Sequence, residues 1–157
     1  MKTLQQWFDE YEVSHQNPVN KKIHFVCVPA IYFSIIGLLM CIPSGILQRI
    51  SPFHEPMIDN WAVVVLFFVL FFYSRLSLWM AIKISVFSAI CIIVNYVIGF
   101  QYLLWKVSLI IFILAWTGQF YGHQLEGKKP SFLKDIQFLL IGPAWVMENL
   151  FSSKNKG

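Results

Sequence analysis

The chain has 157 residues, 57% of them hydrophobic and 13% charged, with a mean hydropathy of +0.62. Ordinary soluble domains run about 45–50% apolar and 25% charged, and a chain of this length cannot bury so much apolar surface in one core. The composition therefore excludes a soluble globule, a disordered chain and a disulfide-rich module. The net charge of +4 comes without a basic helix or a basic-aromatic stretch, so it excludes nucleic acid as a partner and points to membrane topology as its source.

Residues 1–24 are polar and carry no signal-peptide pattern, so nothing is expected to be cleaved. Within them, Leu4, Trp7, Phe8 and Tyr11 fall on one face, which predicts a short amphipathic helix lying on the membrane surface. Pro18 disfavours helix at Asn17 and ends any helix arriving from the N-terminus. A turn there can fold His15 back beside His24, with Asn17 and Asn20 placed to cap the next helix or to hold an imidazole N–H.

Four apolar runs are long enough to be membrane spans: residues 25–47, 61–80, 84–104 and 107–121. A fifth, residues 136–151, has Gly142-Pro143 at its middle and Glu148 near its end, and reads as an interfacial or re-entrant segment. The expected fold is an all-α integral membrane protein of one domain, with four transmembrane helices between an N-terminal amphipathic helix and this C-terminal segment. Cys27, Cys41 and Cys91 all lie in apolar runs and read as buried small hydrophobes.

Orientation follows from the positive residues. Lys2, Lys21, Lys22, Arg75, Lys83, Lys128, Lys129, Lys134, Lys154 and Lys156 fall on one side of the four-span arrangement, and only Arg49 and Lys106 on the other. The positive-inside rule puts the first side, and both termini, in the cytoplasm. That C-terminus bears no retrieval motif, which favours a bacterial inner membrane over an endoplasmic reticulum.

This topology brings His15, His24 and His123 to one membrane face and leaves His54 on the other. Gln119, His123 and Glu126 share one face of the helix leaving the membrane, and Gly118 and Gly122 form a smooth strip for a neighbouring helix. Histidines plus a carboxylate from facing segments are the donor set of a metal site. Asn95, inside the third span, is expected to bond a neighbouring helix, and Glu148 needs a partner that the cluster or a lysine could supply.

The pattern of His15, Asn17, Asn20, His24 and Pro29 at the first span, with the Gln119 to His123 stretch, Glu126, Pro130, Gly142-Pro143 and Glu148 towards the C-terminus, resembles a small membrane-protein family. Its fungal member is the endoplasmic-reticulum 2-hydroxy-fatty-acid dioxygenase of alpha-oxidation. The resemblance implies an Fe(II)-dependent enzyme that shortens a 2-hydroxy fatty acid by one carbon with O2 and without 2-oxoglutarate. It implies that His15, His24 and His123 hold the metal. Ser14 stands where some members carry a further histidine and Ser131 where alanine is usual; the first departure raises Glu126 as the remaining ligand. Asn17, Asn20, Gln119 and Glu148 are then expected around the metal or the substrate. Two other readings use the same residues: a zinc-dependent membrane hydrolase with Glu126 or Glu148 as general base, and a non-enzymatic helical scaffold or lipid-binding protein.

Overall fold

The computed structural model describes residues 2–129 and 137–152. Pro130, Ser131, Lys134, Lys154 and Lys156 therefore lie outside the described residues. Among the described residues the secondary structure is all helix, with no strand: α1 (Leu4–Glu12), α2 (Pro18–Met40), α3 (Gly45–Ile50), α4 (Trp61–Leu76), α5 (Leu78–Gln101), α6 (Leu104–Glu126) and α7 (Phe138–Ser152).

The helix starts follow from local chemistry. Thr3 caps α1 through a reciprocal box, its Oγ1 accepting from Gln6 N at 3.2 Å while Gln6 Oε1 accepts from Thr3 N at 2.8 Å. Asn17 caps α2, its Oδ1 accepting from Val19 N at 2.8 Å and Asn20 N at 3.4 Å, and Pro18 occupies the first helical position, where its missing N–H costs nothing. Ser77 alone separates α4 from α5. Its extended backbone breaks the helix, and its Oγ accepts from Met80 N at 3.3 Å.

Three helices, α2, α5 and α6, are long and apolar enough to cross a membrane. At about 1.5 Å per residue each is about 35 Å long, against a hydrocarbon core of about 30 Å. They correspond to the first, third and fourth expected spans, but with shifted ends. The helix α2 starts at Pro18 and stops at Met40, because helices begin at their caps rather than at their first apolar residue, and the stretch around Pro43 turns before α3. The expected second span is the shorter α4, 16 residues and so about 24 Å.

The most extensive pairing is α2 with α6. It depends on the predicted glycine strip: a Cβ at Gly118 would come within 2.7 Å of Cys27 Sγ, and one at Gly122 within 2.4 Å of Asn20 Oδ1. Further along, Gly37 of α2 makes room for Ser108 of α6 and Asn95 of α5. Asn95 Nδ2 donates to Phe33 O at 3.2 Å and to Cys91 O at 2.9 Å, tying α5 to α2 as expected of an amide inside a span.

The short helices close one end of this bundle. Residues 138–152 form one unbroken helix despite Pro143, rather than a chain that turns back at Gly142-Pro143. Ile141, Ala144, Trp145 and Val146 are buried. Tyr73 near the end of α4 donates its hydroxyl to Leu140 O, Lys83 near the start of α5 pairs with Glu148 at 2.7 Å, and Trp145 Nε1 donates to Glu12 at 3.2 Å. Thus α7 sits where α4 and α6 end and α2 and α5 begin. Trp7, Phe8 and Tyr11 of α1 are buried in the same cluster, with the Trp7 and Phe138 rings edge to face at 5.3 Å. The apolar face of α1 is therefore spent on α7 and not on a lipid surface; a 3.6-residue stripe has the same pattern against either partner. The cysteines also differ from expectation, since only Cys91 is buried, Cys27 is half-buried and Cys41, in the turn after α2, is exposed.

Candidate metal centre

Three imidazoles converge beneath α1 and α7. His15 comes from the turn between α1 and α2, His24 from the second turn of α2 and His123 from the last turn of α6. All three are buried. Their ring centroids are 4.3 Å (His15 to His24), 5.0 Å (His15 to His123) and 4.9 Å (His24 to His123) apart.

Backbone carbonyls choose the tautomers. A carbonyl can only accept, so His15 Nδ1–H donates to Tyr11 O at 2.6 Å and His24 Nδ1–H donates to Asn20 O at 3.0 Å. Each histidine thus keeps its lone pair on Nε2. Neither Nε2 has a hydrogen-bond partner, nor does His123 Nδ1, and all three atoms are buried. Leaving a buried polar atom unsatisfied costs about 1–3 kcal/mol, and here three buried ring nitrogens from neighbouring imidazoles share that state. One potential ligand atom from each histidine lies within 4.8 Å of the other two, close to the roughly 4.2 Å that two nitrogens at about 2.1 Å from a shared ion can span. A divalent metal is the natural partner for such a set: neutral imidazoles suit Fe, Zn, Cu or Ni, and an N–H donated to a backbone carbonyl is the usual way to orient a metal-binding histidine. Burial, and then the proximity of His24, hold the His15 imidazole down to about 3, so it is neutral and ligand-competent at physiological pH.

Around this trio the surroundings are specific. Tyr11 stacks on His15 at 4.0 Å between centroids, and Trp145 lies 5.8 Å from His15 while stacking on Phe25 at 5.5 Å. Lys128 donates to Val13 O at 2.6 Å, a second tie between the α6 end and the turn that carries His15.

The carboxylates depart from expectation. Glu126 is not part of the ligand group: its Oε1 accepts from Gln16 N at 2.8 Å, and its Oε2 accepts from Asn17 N at 2.8 Å and Asn20 Nδ2 at 3.1 Å. With both oxygens so engaged, it pins the His15 turn and the start of α2 to the end of α6. Glu148 is paired with Lys83 rather than placed at the histidines. Asn17 caps α2, whereas Asn20 serves the cluster through its carbonyl on His24 and through its amide, which bridges Ser14 O at 3.3 Å and Glu126. Gln119 is buried one turn before His123. His54 is exposed in the loop between α3 and α4, donating from Nδ1 to Gln48 O at 2.9 Å. Sequence reasoning missed Tyr11, Trp145 and Glu12. A signal for Tyr11 was present, because Tyr11 and His15 are four apart, as are Asn20 and His24, the spacing at which a side chain can reach back to a helical carbonyl.

A cavity of about 220 Å³ opens beside the trio. His15, His123 and Gln119 line one end, Phe138, Leu139, Gly142 and Pro143 of α7 form one side, and Ile31, Tyr32, Ile35 and Phe112 continue it between α2 and α6. The arrangement offers a metal site opening onto an apolar cleft. No curated protein and no solved structure matches the chain. A family model described as Mpo1-like, 2-hydroxy-palmitic acid dioxygenase Mpo1-like, matches residues 1–154, and the chain belongs to that family.

Proposed function

We propose that the protein is an Fe(II)-dependent dioxygenase of the membrane that removes one carbon from a 2-hydroxy fatty acid. The observation that carries this reading is the convergence of three buried, unpartnered imidazole nitrogens at the end of an apolar cavity. The family description supplies the reaction class. His15, His24 and His123 would hold the ion, and their neutral imidazoles suit ferrous iron. Bound there, ferrous iron would supply the redox chemistry with dioxygen that no side chain of this chain can.

The overall reaction balances without a further reductant. A 2-hydroxy acid plus O2 gives the acid shorter by one carbon, CO2 and water: the C1–C2 bond breaks, C2 is oxidised from alcohol to carboxylic acid and C1 to CO2. Those carbons release four electrons, which is what the reduction of one O2 consumes. The protein's share is to hold and enclose. Tyr11 O and Asn20 O fix two ring orientations, Glu126 fixes the turn that carries His15, and Tyr11, Trp145 and Phe138 keep bulk water from that end of the cavity. The charge pattern supports a site at the cytoplasmic face of the membrane, with the anionic head group drawn by Lys21, Lys22, Lys128 and Lys129. A zinc hydrolase would need a carboxylate as general base, and both Glu126 and Glu148 are engaged elsewhere.

The test is elemental analysis of anaerobically purified protein, alongside oxygen uptake with 2-hydroxypalmitate. Iron near one equivalent, with uptake matched by the acid shorter by one carbon, is expected. Zinc retained under iron-replete growth, with no oxygen uptake, would redirect the assignment to hydrolysis, and no metal after reconstitution would leave a scaffold.

A further inference from the structure

The cavity has a direction. From His123 to Phe112 its wall follows α6 for eleven residues, about 16 Å at about 1.5 Å per residue. The polar lining is concentrated at the histidine end. At the other end the Tyr32 hydroxyl is taken up by Ser88 Oγ at 2.7 Å, which leaves Ile31, Ile35, Phe112 and the tyrosine ring as walls. The width is guarded at Gly142, where a Cβ would meet Tyr11 Oη at 3.1 Å and Val28 Cγ1 at 3.6 Å. The cleft is not sealed along its length: Ile35 and Leu139, which line it, are 40% and 41% exposed at the apolar surface of the bundle.

From this geometry, and resting on the reading above, we infer that the substrate's single hydrocarbon tail lies in the cleft between α2, α6 and α7 and passes out beside Ile35 and Phe112 into the bilayer. The cavity is smaller than the roughly 300–1,000 Å³ of common ligand pockets, which suits one chain and not the two of a phospholipid. An extended chain advances about 1.2 Å per bond, so about 16 Å accommodates some thirteen bonds. The methyl end of a sixteen-carbon acid whose head group is at the histidines then projects past Phe112. Two consequences follow: the substrate enters sideways from the leaflet, and chains longer than the cleft are tolerated because no wall stops them.

Photolabelling tests this without turnover. Metal-loaded protein in phospholipid nanodiscs under nitrogen is exposed to 2-hydroxypalmitate bearing a diazirine near either the head or the methyl end, and adducts are mapped by peptide mass spectrometry. The head probe is expected to label the peptides around Gln119 and Gly142, and the tail probe those around Ile35 and Phe112, each suppressed several-fold by unlabelled acid. Tail adducts spread equally over the exposed α5 positions Val86, Ile90 and Val97, with no suppression, would overturn the inference even if oxygen uptake is observed. Suppressible adducts in the cleft without any uptake would instead uphold the tail site and reject the dioxygenase. As a second arm, Ile35→Trp is expected to lower the ratio of sixteen-carbon to eight-carbon affinity about tenfold, the loss of roughly two buried methylenes, whereas Val86→Trp on the α5 surface leaves that ratio unchanged. An unchanged ratio in Ile35→Trp with full metal content would place the tail elsewhere.

Discussion

Glu126→Gln separates a clamp from a ligand. The carboxylate accepts at 2.8 Å from Gln16 N, at 2.8 Å from Asn17 N and at 3.1 Å from Asn20 Nδ2. Glutamine has one acceptor oxygen, and its NH2 set against an N–H donor is repulsive, so at least one charge-assisted bond is lost, worth about 1.5–3 kcal/mol. The negative charge at the start of α2 also disappears, at a further cost of about 0.3–1 kcal/mol. That energy is lost from the geometry of the His15 turn and not from the coordination shell, so the site should persist with weaker binding. Supporting groups of this kind typically change metal affinity by about 10–100-fold. Competition against a chromophoric chelator should therefore show Glu126→Gln still reaching one equivalent of metal at saturation with the dissociation constant raised in that range, while His123→Ala fails to saturate. If Glu126→Gln also failed to bind metal at saturating concentration while remaining folded, the carboxylate would be a ligand and the clamp assignment wrong. No change at all would mean that Lys128 and the α2 cap suffice to hold the turn.

Alanine at His15, His24 or His123 should each abolish stoichiometric metal, whereas His54→Ala should retain it; elemental analysis of the four variants decides. Gly122→Val should cost about 1–3 kcal/mol by overpacking and lower metal affinity, because a Cβ there meets Asn20 Oδ1 at 2.4 Å and Asn20 O orients His24, whereas Gly45→Ala, with nothing within 4 Å, should be neutral; thermal melts with and without metal measure both. Acidification should destabilise the metal-free protein. His15 has a folded value of about 3 against 6.5 unfolded, so below pH 6.5 the unfolded chain takes up a proton that the folded one refuses. Its contribution is intact above pH 6.5 and declines towards pH 3 by at most about 1.4 kcal/mol per pH unit, visible as a falling melting temperature that His15→Gln flattens.

Much of the centre was legible because membrane topology is a strong constraint. Once residues 25–47 and 107–121 are antiparallel neighbours, the start of one and the end of the other must meet, which places His24 beside His123. Pro18 and Asn17 then say that a turn intervenes, and it returns His15 to the same place. Less legible was the assignment of side chains that could face either of two partners. His123 and Glu126 are three apart, as metal ligands often are, but the spacing does not reveal that two backbone N–H groups from residues 16 and 17 reach the carboxylate first. Nor can an apolar stripe distinguish lipid from α7. The pairing of Lys83 with Glu148 was open for the same reason, since a carboxylate in an apolar stretch predicts a partner without naming it.

The cover over the histidines has consequences for how the centre assembles. His15 is held by the Tyr11 carbonyl and stacked beneath the Tyr11 ring, and Tyr11 is in turn packed on Phe138 and Trp145 of α7, whose indole donates to Glu12 of α1. The position of one imidazole thus depends on the docking of α1 on α7, while the other two depend on the glycine-mediated contact of α2 with α6. A metal bound by all three joins these two packing units, because it binds only when both are formed, and by mass action it stabilises both together. Trp145→Ala tests that coupling at a residue the ion does not touch. Removing a buried tryptophan costs about 3–5 kcal/mol, and if α1 docking positions His15, part of that cost must appear as lost metal affinity rather than as lower stability of the metal-free protein alone. An identical dissociation constant in the folded variant would separate the two units and leave the cover with only the task of excluding water.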